Sequence, residues 1–256
     1  MAELPDLTVF SQILTRKFKG MTLETLEITV SKKINVSAKE LKTALEGREL
    51  IEVQRYGKTL QLIFSDSQVL GLHLMLRGKL ISIDQDEPPR FQILGFHFEG
   101  GDAFALIDLQ RQATPTLNPE PIDVPDALEM EEQNFLDLAK KKTSIKTLLM
   151  DQHLVRGIGN SYSDEILYHA GISPFSVERA IPDEAAKKLY NSIKSVLSEA
   201  ISKIVKANGN ELKGELRDFM SVHVAEAKKT SKGEEILSEK IGGRKAYYTK
   251  SQELFE

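Results

Sequence analysis

Between residues 3 and 18 apolar side chains fall at Leu4, Leu7, Phe10, Ile13, Leu14 and Phe18, a spacing that predicts one amphipathic helix. Pro5 suits its first turn, where a missing N–H leaves no bond unmade, and Glu3 and Asp6 suit the positive end of the helix dipole. Past Gly20 the period shortens to two, so residues 25–30 predict a strand. Ser37 with Glu40 then predicts a capping box opening a short helix that reaches Gly47. From Leu50 to Ile83 strands alternate with turns at Tyr56-Gly57-Lys58, Ser65-Asp66 and Arg77-Gly78. Residues 92–98 and 103–109 flank Glu99-Gly100-Gly101-Asp102, a hairpin signal.

Four of the nine prolines crowd into residues 113–132, which read as a linker. The pattern beyond is helical. One helix ends near Lys141, another runs from Thr143 to about Gln152, and a third opens at Gly157-Ile158-Gly159-Asn160 and ends at Ala170-Gly171. A long helix over residues 183–207 buries Leu189, Ile193, Val196, Leu197, Ala200, Ile201 and Ile204 on one face and stops at Asn208-Gly209. Residues 227–235 are charged, and residues 236–256 predict a hairpin with Gly242-Gly243-Arg244 at its turn. The expected fold is therefore α+β in four parts. Residues 1–112 form a helix plus a two-layer antiparallel β-sandwich, 113–132 a linker, 133–226 a helical domain and 227–256 a hairpin.

Composition narrows the chemistry. The 256 residues include no cysteine, which excludes disulfides and thiolate metal sites. The start is too acidic for a signal peptide, and no apolar run reaches the ~18 residues of a membrane span, so a soluble cytoplasmic protein with no membrane partner is expected. A net charge of -4 and a pI near 5.9 do not by themselves announce a nucleic-acid binder. The imbalance is local, however. Residues 1–130 carry 14 Lys+Arg against 19 Asp+Glu, whereas residues 131–256 carry 20 against 19, leaving room for a basic surface in the second half. His73, His97, His153, His169 and His223 stand singly without metal-ligand spacing, so a structural or surface role is expected for each.

Two places can hold chemistry. Glycines before a helix start let the backbone approach a ligand closely, and the free N–H groups there suit an anion. Asn160 is then a cap or a direct phosphate contact. At the other end, an α-amino group has an ordinary pKa near 7.7–8, so a useful fraction is neutral and nucleophilic at working pH. At a helix N-terminus the dipole disfavours its ammonium form further. Glu3 lies close enough for acid–base work. Read alone, the first is an ordinary helix corner and the second a helix start with an acidic first turn.

A longer pattern changes that balance. Lys142-Thr143-Ser144-Ile145-Lys146, Leu149-Met150-Asp151, Gly157-Ile158-Gly159-Asn160, Tyr162, Glu165 and Ala170-Gly171-Ile172-Ser173-Pro174 together resemble the helix–two-turn–helix of the formamidopyrimidine-DNA glycosylase / endonuclease VIII family. Met1-Ala2-Glu3-Leu4-Pro5-Asp6-Leu7 resembles that family's N-terminal signature, with Ala2 where the family has proline. The resemblance implies a base-excision-repair glycosylase with abasic-site lyase activity that needs no cofactor. It implies a monomer acting on double-stranded DNA with damaged bases or abasic sites.

The same resemblance assigns roles. Ala2 supplies the amine that forms a Schiff base at the deoxyribose C1′, Glu3 handles protons, and Lys58 assists elimination. Lys142, Gly159, Asn160 and Arg244 grip phosphate, with Arg111 beside them. Leu76, Gln110 and Gln112 occupy the wedge that fills the gap left by an everted base. Gln stacks less well than the family's aromatic, which favours substrates already disrupted. The family's finger holds zinc with four cysteines; here those positions fall near Lys229, Lys232, Thr249 and Gln252, which implies a zincless finger with Tyr247 and Tyr248 as its small core. The altered nucleophile and wedge leave a second reading open, a damaged-DNA binder with little or no catalysis.

Overall fold

The computed structural model of the protein describes residues 1–83, 88–138, 143–224 and 226–256. The chain divides into two compact units, Met1–Ile122 with Ile204–Glu215, and Asp123–Lys203 with Leu216–Glu256.

In the first unit, α1 (Leu4–Phe18) buries Leu4, Leu7, Phe10, Leu14 and Phe18 along one stripe, as its periodicity requires. Strands follow as β1 (Leu23–Ile28), β2 (Leu50–Tyr56), β3 (Thr59–Phe64), β4 (Val69–His73), β5 (Lys79–Ser82), β6 (Gln92–Phe98), β7 (Ala103–Ile107) and β8 (Thr114–Leu117), with α2 (Ala38–Leu45) after β1. They form two antiparallel sheets, ordered β1-β6-β7-β5 and β2-β3-β4-β8. The core carries Phe18, Phe96, Phe98 and Phe104, and Phe96 stacks on Phe104 with ring centroids 4.5 Å apart. Each such fully buried ring contributes roughly 1.5–3 kcal/mol through the hydrophobic effect.

The stretch expected as a linker is partly sheet. Thr114–Leu117 pairs with β4, His73 opposite Thr114 and Leu72 opposite Pro115. Proline lacks a donor, and β8 tolerates it because it is an edge strand. The second strand of the hairpin is shorter than expected and ends at Ile107, because Asp108 opens a tight loop.

In the second unit, α3 (Glu132–Leu138), α4 (Ile145–Met150), α5 (Asn160–Ala170) and α6 (Asp183–Asn208, whose last turn belongs to the first unit) precede the hairpin of β9 (Leu237–Ile241) and β10 (Arg244–Tyr248). α4 is shorter than its pattern suggests: Ser144 caps it by accepting the Thr147 N–H, and Asp151 ends it. α5 ends at Gly171, whose φ of 73° is the left-handed cap that glycine adopts without strain. Among the described residues no helix is long and apolar enough to cross a membrane.

Candidate active site and nucleic-acid interface

The α-amino group of Met1 lies 2.7 Å from a Glu215 carboxylate oxygen. Both line an open cleft of about 480 Å³ whose other wall is Leu76–Lys79. Ala2 and Glu3 are buried, at 4% and 1% exposure. Glu3 is the N-cap of α1, and its backbone N–H donates to Asp6 Oδ2 at 2.9 Å in a reciprocal capping box. That box fixes the direction in which the chain leaves the helix, and so where the amine points.

Lys58 sits half-buried on the turn between β2 and β3, where Gly57 takes φ 59°. Arg55 braces this turn to α1: its Nε donates to Thr8 Oγ1 at 2.8 Å and a terminal nitrogen donates to the Gly57 carbonyl at 3.1 Å. The helix that carries the amine and the turn that carries the lysine are thereby held as one piece. His73, opposite Thr59 in the ladder, belongs to the same group. Burial, and then the Lys58 ammonium, push its pKa below the ordinary 6.5, so the ring is neutral at physiological pH. Its Nδ1 accepts the Met75 N–H at 3.1 Å, which leaves the proton on Nε2. The sequence gives His73 only a structural or surface role, because the register that sets it beside Lys58 is not legible in a single strand.

The expected wedge residues lie on two loops at one end of the sandwich, and the ladders explain why. Lys79 on β5 and Gln92 on β6 both pair with Ile107 on β7, forming one row across the sheet. The loop 74–78 enters that row and the loop 108–112 leaves it. In the other sheet His73 pairs with Thr114, so both loops cross between the sheets side by side. Asp108, 1% exposed, organises its loop by accepting N–H bonds from Gln110 (2.9 Å), Gln112 (2.7 Å) and Ala113 (2.8 Å). Gly78 closes the other: a Cβ there would lie 2.2 Å from the Leu74 carbonyl oxygen. Leu76 is 60% exposed, and Gln110, Arg111 and Gln112 are exposed as well.

In the second unit the cap of α5 is Gly159, and Asn160 is the first helical residue, so of its two expected roles, cap or direct phosphate contact, it does not fill the first. Its side chain is turned instead to the hairpin, donating from Nδ2 to the Lys245 carbonyl at 3.0 Å. Arg244, the exposed first residue of β10, is the neighbour of that anchor. Lys142 lies outside the described residues. Lys146 carries a role that sequence reading missed. It is fully buried, pairs with Asp164 and donates to Ser163 Oγ at 3.1 Å. His223 Nδ1 lies 2.9 Å from the other Asp164 oxygen, and its ring meets Tyr247 of the hairpin edge-on at 4.9 Å. Glu165 accepts backbone N–H bonds from Ser221, Val222 and His223 at 2.7–2.9 Å, which shapes the segment 221–223. The early signs of this network were the K-T-x-I-K run and Glu165, both part of the resemblance and neither given this role.

The hairpin's base is held by hydrogen bonds. Glu234 accepts from Tyr168 Oη (2.5 Å), Ser251 Oγ (2.6 Å) and Thr230 Oγ1 (3.3 Å), and these donors hold its pKa below the ordinary carboxylate value, Ser251 most. Gln252 Oε1 accepts the Thr249 N–H at 2.8 Å while its Nε2 donates to the Ile172 carbonyl at 2.8 Å. Lysine, lysine, threonine and a glutamine so occupied do not fit the zinc of the related fingers. Tyr247 and Tyr248 do not make a core of their own. They are half-buried, Tyr248 packs edge-on against Phe175 at 5.2 Å, and the fully buried residue is Ala246.

Residues 1–114 match the formamidopyrimidine-DNA glycosylase N-terminal domain, and residues 117–209 match the formamidopyrimidine-DNA glycosylase H2TH domain. A formamidopyrimidine-DNA glycosylase of Heliobacterium modesticaldum is 30% identical, over 97% of this chain and 98% of its own. One from Pelotomaculum thermopropionicum is 28% identical over 97% of each. Among solved structures, the complex of Lactococcus lactis Fpg with DNA containing an abasic site superposes with a TM-score of 0.86 at 25% identity, covering 97% of this chain and 98% of that one.

Proposed function

We propose, since the chain belongs to the formamidopyrimidine-DNA glycosylase family, that it removes oxidised bases from double-stranded DNA and cleaves the abasic site that results. The observation that carries this reading is the N-terminal amine, at the start of a helix capped by buried Glu3 and opening on the cleft beside Leu76–Lys79. Once Met1 is removed, the amine passes to Ala2. Its lone pair forms a bond to the deoxyribose C1′ as the base departs with the glycosidic electrons and takes up a proton lost by the amine. The C1′–O4′ bond then breaks, O4′ takes a proton from Glu3, and the nitrogen lone pair closes the protonated imine. Glu3 is the proton carrier at the sugar. The imine acidifies C2′, and loss of that proton expels the 3′ phosphate, with Lys58 assisting. Asn160, Gly159, Arg244, Arg111 and Lys142 hold the backbone, and Leu76 enters the gap left by the base. The work is done in the cytoplasm, on chromosomal DNA.

Borohydride trapping on a duplex with one abasic site, after intact-mass analysis of the N-terminus, tests this. A covalent adduct mapped to Ala2 and lost in Glu3→Gln is expected. The second reading, a binder without chemistry, is favoured where Met1 is retained, because the terminal amine is then that of Met1, paired with the Glu215 carboxylate, and Ala2 stays buried behind it. A free Ala2 that binds the abasic duplex without an adduct would decide for that reading.

A further inference from the structure

Three side chains at the loop end of the sandwich remain unused by this account. Leu109 is 65% exposed, Phe91 44% and Met75 37%. Phe91 immediately precedes the row of Gln92, Ile107 and Lys79, and its carbonyl accepts the Asp108 N–H at 2.9 Å, so it is fastened to the root of the loop that bears Leu109. Its backbone is left-handed at φ 65°, and Met75 and Arg111 also sit at φ 54°. For bulky side chains such angles are strained and persist where the surroundings impose them. Three of the seven described non-glycine residues with positive φ thus lie on these adjoining segments.

The glutamines of the same loop are poorly suited to filling a gap. Gln112 Nε2 bonds back to the Gln110 carbonyl at 3.2 Å, which ties that side chain to its own loop. Arg77, Lys79, Arg90 and Arg111, all exposed, lie within four residues of these side chains along the same segments, and the Arg90 guanidinium lies 5.4 Å from the Phe91 ring centre. Exposed apolar side chains on segments that also carry exposed cations have the chemistry of a surface that meets stacked bases between two phosphate strands. Met75 directly precedes in the chain the Leu76–Lys79 wall of the cleft that holds the amine.

We propose that Leu109 and Phe91, not Gln110 and Gln112, are the specificity-determining residues on this side of the wedge. Leu109 enters the stack opposite Leu76, and Phe91 covers the neighbouring base. This rests on the glycosylase reading above. It changes the expected preference: with a leucine and a phenylalanine supplying the filler, the protein can hold open an intact duplex, and its substrates are not restricted to sites already disrupted.

The test is a duplex carrying a tetrahydrofuran abasic analogue opposite 2-aminopurine, with an undamaged duplex as reference. Phe91→Asn keeps a residue that accepts the left-handed backbone, and Leu109→Ser removes only an exposed side chain. The double variant should lose the 2-aminopurine fluorescence change at saturation and reduce the abasic-over-intact affinity ratio about tenfold. Arg77→Gln should weaken both duplexes alike. A double variant, or Leu109→Ser alone if the double fails to fold, that keeps both signals overturns the proposal, as does loss of both in Gln110→Ala/Gln112→Ala. If the wild-type protein itself neither discriminates the abasic duplex nor traps on it, the glycosylase reading falls instead, and the proposal with it.

Discussion

Lys146 shows how much one residue carries. A lysine with no exposed surface is stable only as half of a pair, and here the pair is Asp164, itself buried and shared with His223. Truncating the lysine leaves a carboxylate without its counter-charge, which costs far more than the intact pair contributes. Lys146→Met should therefore destabilise the protein by about 3–5 kcal/mol, read as a lower urea midpoint, and Lys146→Met/Asp164→Leu should recover much of it. A double variant no more stable than the single would show that the pair itself holds the fold. At this scale the sequence was most legible where a residue's neighbours are local: Ser37 caps α2 by accepting the Glu40 N–H three residues on, at the spacing that predicts it. It was least legible for Lys146, Asp164, His223 and His73, whose partners come from other elements and whose meaning depends on burial.

The hairpin of β9 and β10 rests on an element-scale device. Glu234 collects three hydroxyl donors, and its carboxyl titrates below the ordinary value of 4.5 because those bonds favour the anion. A depressed folded pKa contributes stability that is present above 4.5 and is lost as the pH falls through the lower, folded value. Amide protection factors in residues 229–252, corrected for the intrinsic rate at each pH, should fall as the solution is acidified through that window, and Glu234→Gln should show the low protection already at pH 7. Protection unchanged in the variant would mean that the ring contacts of Tyr247 and Tyr248 hold the hairpin alone. The elements themselves followed from periodicity, as α1 and the long α6 did. β8 did not, because four prolines mask a short edge strand whose only assets are its partner and its place at the sheet's rim.

For the whole molecule, sequence order and structural order part company. The first unit is completed by Ile204–Glu215, far along the chain. Leu212 packs against its core, Asn210 bonds Arg16, and Glu215 holds the terminal amine. A fragment of residues 1–122 should accordingly melt about 3–8 °C below the corresponding transition of the full chain in calorimetry, with its N-terminus more open to aminopeptidase. Equal melting would show that the returning segment adds nothing. Local pattern could not foresee this, since nothing in residues 204–215 records which core they join. The hydrogen-bonded hairpin base has a wider consequence. Metal-bound thiolates are oxidised by the same peroxides that damage bases, so a finger built on them is weakened when lesions are most abundant. A chain with no cysteine, its hairpin base fastened by hydroxyls, amides and one carboxylate, offers that oxidation no thiolate and depends on no thiolate-bound zinc.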